Sequence, residues 1–163
     1  MKKIDISTKK FPNTFALVDD EDYVSLNKHK WHPAQDKLTT YARRTTREGG
    51  IKSNVRMHRE IMKTGREEMV DHRDHNGLNN RKINLRRCNN SQNSMNRVVT
   101  NGTSGYKGVC WNKKTKKWQA YIKKNSNQIH LGQFFCLIKA AKAYDQKAIE
   151  LFGEYANPNF PEI

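Results

Sequence analysis

Residues 70–96 read V-D-H-R-D-H-N-G-L-N-N-R-K-I-N-L-R-R-C-N-N-S-Q-N-S-M-N. The few apolar residues of this stretch, Val70, Leu78, Ile83 and Leu85, are regularly placed. A segment so polar does not fill a core. It is suited to holding oxygen and nitrogen atoms at fixed positions. An acid–imidazole pair, Asp71-His72, stands in front of a turn. Asn84 follows twelve residues after His72, and Asn93 nine residues after that. Val70 ends a strand. His75-Asn76-Gly77 has turn chemistry, because Asn-Gly accepts positive φ. Asn84-Leu85-Arg86 opens a second extended piece, and Ser91 is a good N-cap for a short helix carrying Asn93 and Asn96. The expected local order is strand, loop, strand, helix.

Charge narrows what such a segment serves. The chain has 163 residues, enough for one or two small domains. Its 31 Lys and Arg stand against 16 Asp and Glu, a formal charge of +15. That excess points to a polyanionic partner, with nucleic acid first. Residues 1–100 hold 21 basic and 12 acidic side chains, and residues 101–163 hold 10 and 4, so both halves are basic. Every basic residue of the second half is Lys. No apolar run approaches the roughly 20 residues that span a bilayer, and the first residues lack an apolar signal core. Cys88, Cys110 and Cys136 form no C-x-x-C pair, so neither a disulfide framework nor a zinc finger is supported. A reducing cytoplasm is the expected location.

Residues 1–56 read as a β-rich leader. Phe15–Val18 is a short apolar run stopped by Asp19-Asp20-Glu21-Asp22. Tyr23–Leu26 opens a short helix or a strand. Trp31-His32-Pro33 ends whatever precedes it, since proline disfavours helical geometry in the residue before it. Thr39–Thr45 reads as a strand, with Arg43, Arg44 and Arg47 as a basic cluster suited to phosphate contact or to a solvated edge. Met57, Ile61 and Met62 have helical spacing, ended by Gly65, and His58 reads as a structural hydrogen-bonder.

Beyond a polar linker at 98–103, three strands are expected at Tyr106–Asn112, Lys117–Lys123 and Gln128–Phe134, with a turn at Asn125-Ser126-Asn127. The middle strand alternates Trp118, Ala120 and Ile122 against Gln119, Tyr121 and Lys123. Cys136–Phe152 reads as an amphipathic helix with small residues at Ala140, Ala141 and Ala143, stopped by Gly153.

Two family resemblances follow from these motifs. Asp71-His72, Asn84 and Asn93, with Asn79-Asn80-Arg81, Val18-Asp19-Asp20, Trp31 and Met57-His58-Arg59 in order, resemble the HNH endonucleases. The likeness is to their phage and intron homing branch and covers roughly residues 15–97. It implies a ββα-metal nuclease domain over 1–97 with His72 as general base. Asn84 would brace the catalytic loop, Asp71 and Asn93 would be oxygen ligands, and Arg81 and Arg86 would clamp phosphate. Many members carry His where this chain has Asn93, which points away from zinc and toward one Mg²⁺ or Mn²⁺ per site. An imidazole with an ordinary pKa of about 6.5 suits proton abstraction.

Ser104–Val109, Trp118-Gln119-Ala120, His130–Phe134, Ala140–Asp145 and Asn159-Phe160-Pro161 resemble the Apetala/ethylene-response-factor DNA-binding domain over about 104–161. That resemblance implies a three-stranded antiparallel sheet in the major groove, backed by one helix. By position the DNA face is Lys107, Cys110, Asn112, Tyr121, Lys123, Gln128 and His130, with Arg43 and Arg44 adding contacts from the first half. The plant domains use mostly Arg here. An all-Lys face lacks the planar fork, so backbone contacts and a different base preference are expected. Trp118 and Tyr144 read as core. The fold class is α+β. The expected function is site-targeted cleavage of double-stranded DNA by a monomer, without membrane or small-molecule cofactor. The rivals are a DNA-binding regulator on a relic nuclease fold and an RNA-directed protein, for which no aromatic stacking platform is present.

Overall fold

In the computed structural model the described residues are 1–65, 67–96 and 102–161. They form two compact units, Met1–Asn89 and Asn90–Ile163. The expected linker at 98–103 falls mostly outside the described residues. The architecture is mixed α+β, with several small antiparallel sheets. Among the described residues no helix is long and apolar enough to cross a membrane.

The first unit starts with a ribbon of β1 (Lys2–Asp5) and β2 (Phe15–Val18). The open Tyr23–Leu26 reading resolves as a helix, α1 (Asp20–Leu26), with Asp20, Glu21 and Asp22 in its first turn, where the helix dipole favours acids. A three-stranded sheet follows in the order β3 (His32–Gln35), β4 (Thr40–Glu48), β5 (Ile51–Arg56). Pro33 lies inside β3 rather than ending an element. An edge strand accommodates it because one side of its backbone needs no ladder bond. Helix α2 (Met57–Ile61) ends before Gly65: Met62 is its C-cap and Lys63 takes φ 50°. Then β6 (Met69–His72) and β7 (Leu85–Cys88) form a hairpin that pairs Asp71 with Arg86 and His72 with Leu85.

The core of this unit is Ile4, Ile6, Ala16, Val18, Leu26, Trp31, Ala42, Met57, Ile61 and Leu85. It draws on nearly every element, so no piece of the unit buries its apolar face alone. The connection between β6 and β7 is held against the leader. Leu17 N–H donates to Leu78 O and Asn80 N–H donates to Leu17 O, both at 2.8 Å. Asp19 accepts from Arg81 Nε at 3.3 Å and from Lys82 N–H at 2.8 Å.

The second unit begins with α3 (Asn90–Met95), one residue earlier than the expected Ser91 cap. The sheet order is β8 (Val109–Asn112), β9 (Lys117–Lys124), β10 (Asn127–Phe134), all antiparallel, with a bulge between His130 and Gly132. The first strand is shorter than the expected 106–112. Gly105 and Gly108 take φ 71° and 72° and bend the chain there. The turn at Asn125-Ser126 matches expectation, with φ 50° and 68°. Helix α4 (Leu137–Phe152) covers one face of the sheet. Ala140, Ala141 and Ala148 are fully buried against it, and a methyl group is the largest side chain that allows so close an approach.

Candidate active site and nucleic-acid face

Asp71 and His72 are the last two residues of β6, and both are buried. Alternation alone would send one of them to solvent. Asp71 is held against Arg86 of β7, while Asn80 of the 73–84 loop reaches the His72 ring. Asn84, also buried, ties this loop together. Its Nδ2 donates to Asp74 Oδ1 and to Asn79 O, each at 2.8 Å, and its Oδ1 accepts from Asp74 N–H at 3.1 Å. Arg73 N–H donates to Asn84 O at 2.9 Å. Burial pushes the Asp74 carboxyl up, but hydrogen bonds from Asn79, the Asn76 backbone and Asn84 outweigh it and hold it below the usual value. The positive φ in the turn falls on His75, at 62°, not on Asn76 or Gly77. Gly77 is needed for a different reason: a Cβ there would meet Thr40 O at 2.5 Å and the Tyr41 ring at 2.7 Å.

His72 is 5% exposed, and burial pushes its pKa below the ordinary histidine value. Its Nε2 lies 3.4 Å from Asn80 Oδ1. The Asn80 amide is oriented by its Nδ2, which donates to Leu78 O at 3.2 Å. The oxygen therefore faces His72 and can accept from a proton on Nε2. Two rings flank the imidazole. Tyr41 is 5.7 Å away and His58 is 5.0 Å away, edge to face at 84°.

His58 is no hydrogen-bonder at Nδ1, as the sequence suggested. That atom is buried without a partner, and burial, with the charge of a protonated His72 next, pushes the ring pKa down to about 3. His58 therefore acts as a neutral, flat packing surface.

Asp71 Oδ2 accepts from Arg86 Nε at 2.9 Å and from Nη2 at 2.7 Å. Arg86 is 6% exposed. This corrects its reading as a phosphate clamp: the guanidinium is committed to Asp71 inside the fold. Arg81 is likewise paired with Asp19 rather than presented alone. Arg43 and Arg44 separate onto opposite faces of β4, as alternation requires. Arg44 pairs with Glu60 at 2.9 Å and packs over Trp31, while Arg43 lies on the face that carries Tyr41. Asn93 is on α3, in the second unit.

Among the described residues no three His, Cys, Asp or Glu side chains gather as a metal cage. A hard divalent cation that keeps waters and takes phosphate oxygens needs only one or two carboxylates. Asp71 fits as one of them by donor chemistry.

In the second unit, the sheet face away from α4 carries Cys110 and Asn112, Gln119, Tyr121 and Lys123, then Gln128 and His130. Register places Tyr121 opposite His130 and Lys123 opposite Gln128. Gln119 Nε2 lies 3.4 Å from His130 Nε2. Two expected DNA-face residues have structural partners. Lys107 Nζ donates to Met95 O, and Asn112 Oδ1 accepts from Lys114 N–H at 2.9 Å. Among the described residues the lysines of this sheet have no ion-pair partner, whereas Lys147 pairs with Glu150 on α4. Trp118 and Tyr144 pack into the core as expected, and Trp111 lies half-exposed, edge to face with Trp118 at 4.9 Å.

The AP2 domain family matches residues 104–154. The chain thus carries an AP2-like domain behind an HNH-like half. A protein of Acanthamoeba polyphaga mimivirus named as an uncharacterized HNH endonuclease is 29% identical over 157 residues, covering 90% of this chain and 75% of that protein. An APETALA2-like protein of Oryza sativa is 38% identical over 58 residues, 36% of this chain and 13% of that protein. An AP2-like ethylene-responsive transcription factor of Arabidopsis thaliana is 36% identical over the same length. The similarity to the viral protein runs through both halves, whereas the plant proteins share only the second.

Asn80, Tyr41 and His58 are the site residues whose roles sequence reasoning missed. Asn79-Asn80 reads as turn composition, and nothing local distinguishes the fully buried member from its neighbour. Tyr41 and His58 reach His72 only through the packing of β4 and α2 on the hairpin.

Proposed function

We propose that the chain is a site-targeted DNA endonuclease of the homing type, with His72 as general base and the AP2-like sheet on the DNA major groove. The observation that carries this reading is the placement of His72: buried, with Nε2 3.4 Å from Asn80 Oδ1 and Tyr41 and His58 packed on the ring, directly after the carboxylate of Asp71. Burial favours the neutral imidazole, which can take a proton from water as the water attacks phosphorus. Asn84 closes the loop that reaches this ring, so it is a positioning residue. Arg86 holds the Asp71 carboxylate in place.

By donor type, the carboxylate oxygen that Asp71 offers and the amide oxygen that Asn93 offers suit Mg²⁺ or Mn²⁺ better than zinc. When bound, such a cation would supply charge neutralisation at the phosphate. The lysines and outward polar side chains of β9 and β10 would hold the duplex largely through its backbone. One active site per chain acts on one strand, so a monomer nicks.

A second reading, a DNA-binding regulator, draws support from Asp71 being engaged by Arg86. Supercoiled DNA carrying the gene's flanking region, incubated with Mg²⁺ or Mn²⁺, with EDTA, and with His72→Ala, separates the two. Nicking that needs both the cation and His72 is expected. Binding without cleavage under either metal would establish the regulator.

A further inference from the structure

One face of the β4–β5 ribbon is unusually charged. Arg43 stands directly across from Arg56, and Arg47 across from Lys52. Like charges at directly opposed positions destabilise a sheet, and here two such pairs share a face. Among the described residues, the ion pair on this face joins Arg56 to Asp36 at 3.7 Å, with both side chains about half exposed (48% and 53%). Arg43 Nε approaches His32 Nε2 at 3.4 Å, a neutral acceptor that leaves its charge uncompensated.

A cleft of about 300 Å³ opens here, lined by Arg43, Arg56, Tyr41, Asn54, Gln35 and Asp36. The Arg56 guanidinium carbon lies 4.8 Å from the centre of the Tyr41 ring, and that ring is 5.7 Å from His72. The wall of the cleft is therefore also the packing partner of the proposed base.

We infer that Arg43 and Arg56, with Tyr41 and Asn54, form a subsite for a phosphate of the cleaved DNA strand, beside the bond on which His72 acts. This rests on the nuclease reading. Two guanidiniums offer planar forks of donors that match phosphate oxygens, and packing over Tyr41 restricts the plane of one of them. A bound phosphate would turn an opposed pair of like charges into a bridged one. One strand advances about 3.4 Å per nucleotide, so a group one ring from His72 meets a phosphate within about three nucleotides of the one attacked. Asp36 is the competing anion that the phosphate displaces.

The test is single-turnover nicking by the full chain on a duplex carrying the mapped cut. A neutral methylphosphonate is placed in turn at each of the flanking positions. One such position should slow the wild type by on the order of 100-fold, the lower end of the cost of removing one preorganised donor. Arg56→Ala should slow the unmodified substrate by a similar factor and be insensitive to the methylphosphonate. Arg56→Lys should recover part of the loss, and all variants should keep the wild-type Tm.

Wild-type nicking that is indifferent to every flanking methylphosphonate would overturn the subsite while leaving the nuclease intact. Losses from Arg56→Ala and the methylphosphonate that multiply would do the same. Failure of the wild type to nick any substrate with either metal would overturn the nuclease reading and the subsite with it.

Discussion

Among the described residues, the second unit buries three polar side chains, Asn96, Ser104 and Asp145, and the first buries six: His58, Asp71, His72, Asn80, Asn84 and Arg86. The difference lies in what they bind. Ser104 Oγ donates to Val109 O at 2.7 Å. Asp145 accepts from the backbone N–H of Asn159 and of Phe160, at 2.7 and 3.0 Å, and pins the chain end to α4. Those partners are mainly backbone groups, with Asn159 Nδ2 also donating to Asp145 at 2.9 Å, and the result is a tied turn and a tied tail. In the first unit the buried polar groups largely address one another: Arg86 to Asp71, Asn80 to His72, His58 edge-on to His72. Burying ionisable groups against each other contributes little net stability. The contrast separates polar burial that ties backbone from polar burial that links side chains to one another.

Breaking the Asp71–Arg86 pair attacks this contrast most strongly. Arg86→Ala leaves a buried carboxylate uncompensated and should destabilise the first unit by about 3–5 kcal/mol. Hydrogen exchange at the amides of β6 and β7 would show it, and unchanged protection would mean that the pair is dispensable.

The second unit is expected to fail by packing instead. Gly108 has φ 72°, and a Cβ there would sit 2.0 Å from the Tyr144 ring. Gly108→Ala should cost about 3 kcal/mol, combining overpacking with left-handed strain. Gly105→Ala, at φ 71° in open space, should cost only about 1 kcal/mol. Denaturant midpoints that agree for the two would remove Tyr144 from the explanation.

Protons sharpen the same contrast. His58 has a folded pKa near 3 against an ordinary 6.5, so the unfolded chain binds the extra proton. Stability is full above pH 6.5 and falls as pH drops toward 3. By pH 5 the loss from this group is on the order of 2 kcal/mol, and His72 acts in the same direction. His58→Phe should flatten the fall of Tm between pH 7 and 5.

The smallest effect on stability belongs to the outer sheet face. Lys123→Ala should change it by less than about 0.5 kcal/mol, yet reduce the slope of log affinity against log salt by about 1. An unchanged slope would take β9 off the DNA.

The second unit was the more legible in sequence. Alternation in β9 and the small residues of α4 are local signals, and both elements fall within a residue of where they were read. The start of β8 was misplaced because Gly108 answers to Tyr144, thirty-six residues further along. In the first unit the order strand, loop, strand was readable from Val70, the turn and Leu85. The partners were not. Arg86 reads as a surface cation until β6 places Asp71 opposite it, and Pro33 reads as a stop until β3 is known to be an edge. His58 reads as a hydrogen-bonder until its Nδ1 is found enclosed by rings.

The clasp between leader and loop has a consequence for how the protein comes to exist. Asp19 reaches Arg81 and Lys82 across 62 and 63 residues of chain, and Leu17 bonds both Leu78 and Asn80. Contacts that close so long a loop form late, because the chain must surrender its freedom before they return anything. On this account the segment around His72 and Asn84 takes its final shape only after the 15–19 run has been brought back against it, so the loop is completed late in the folding of its unit.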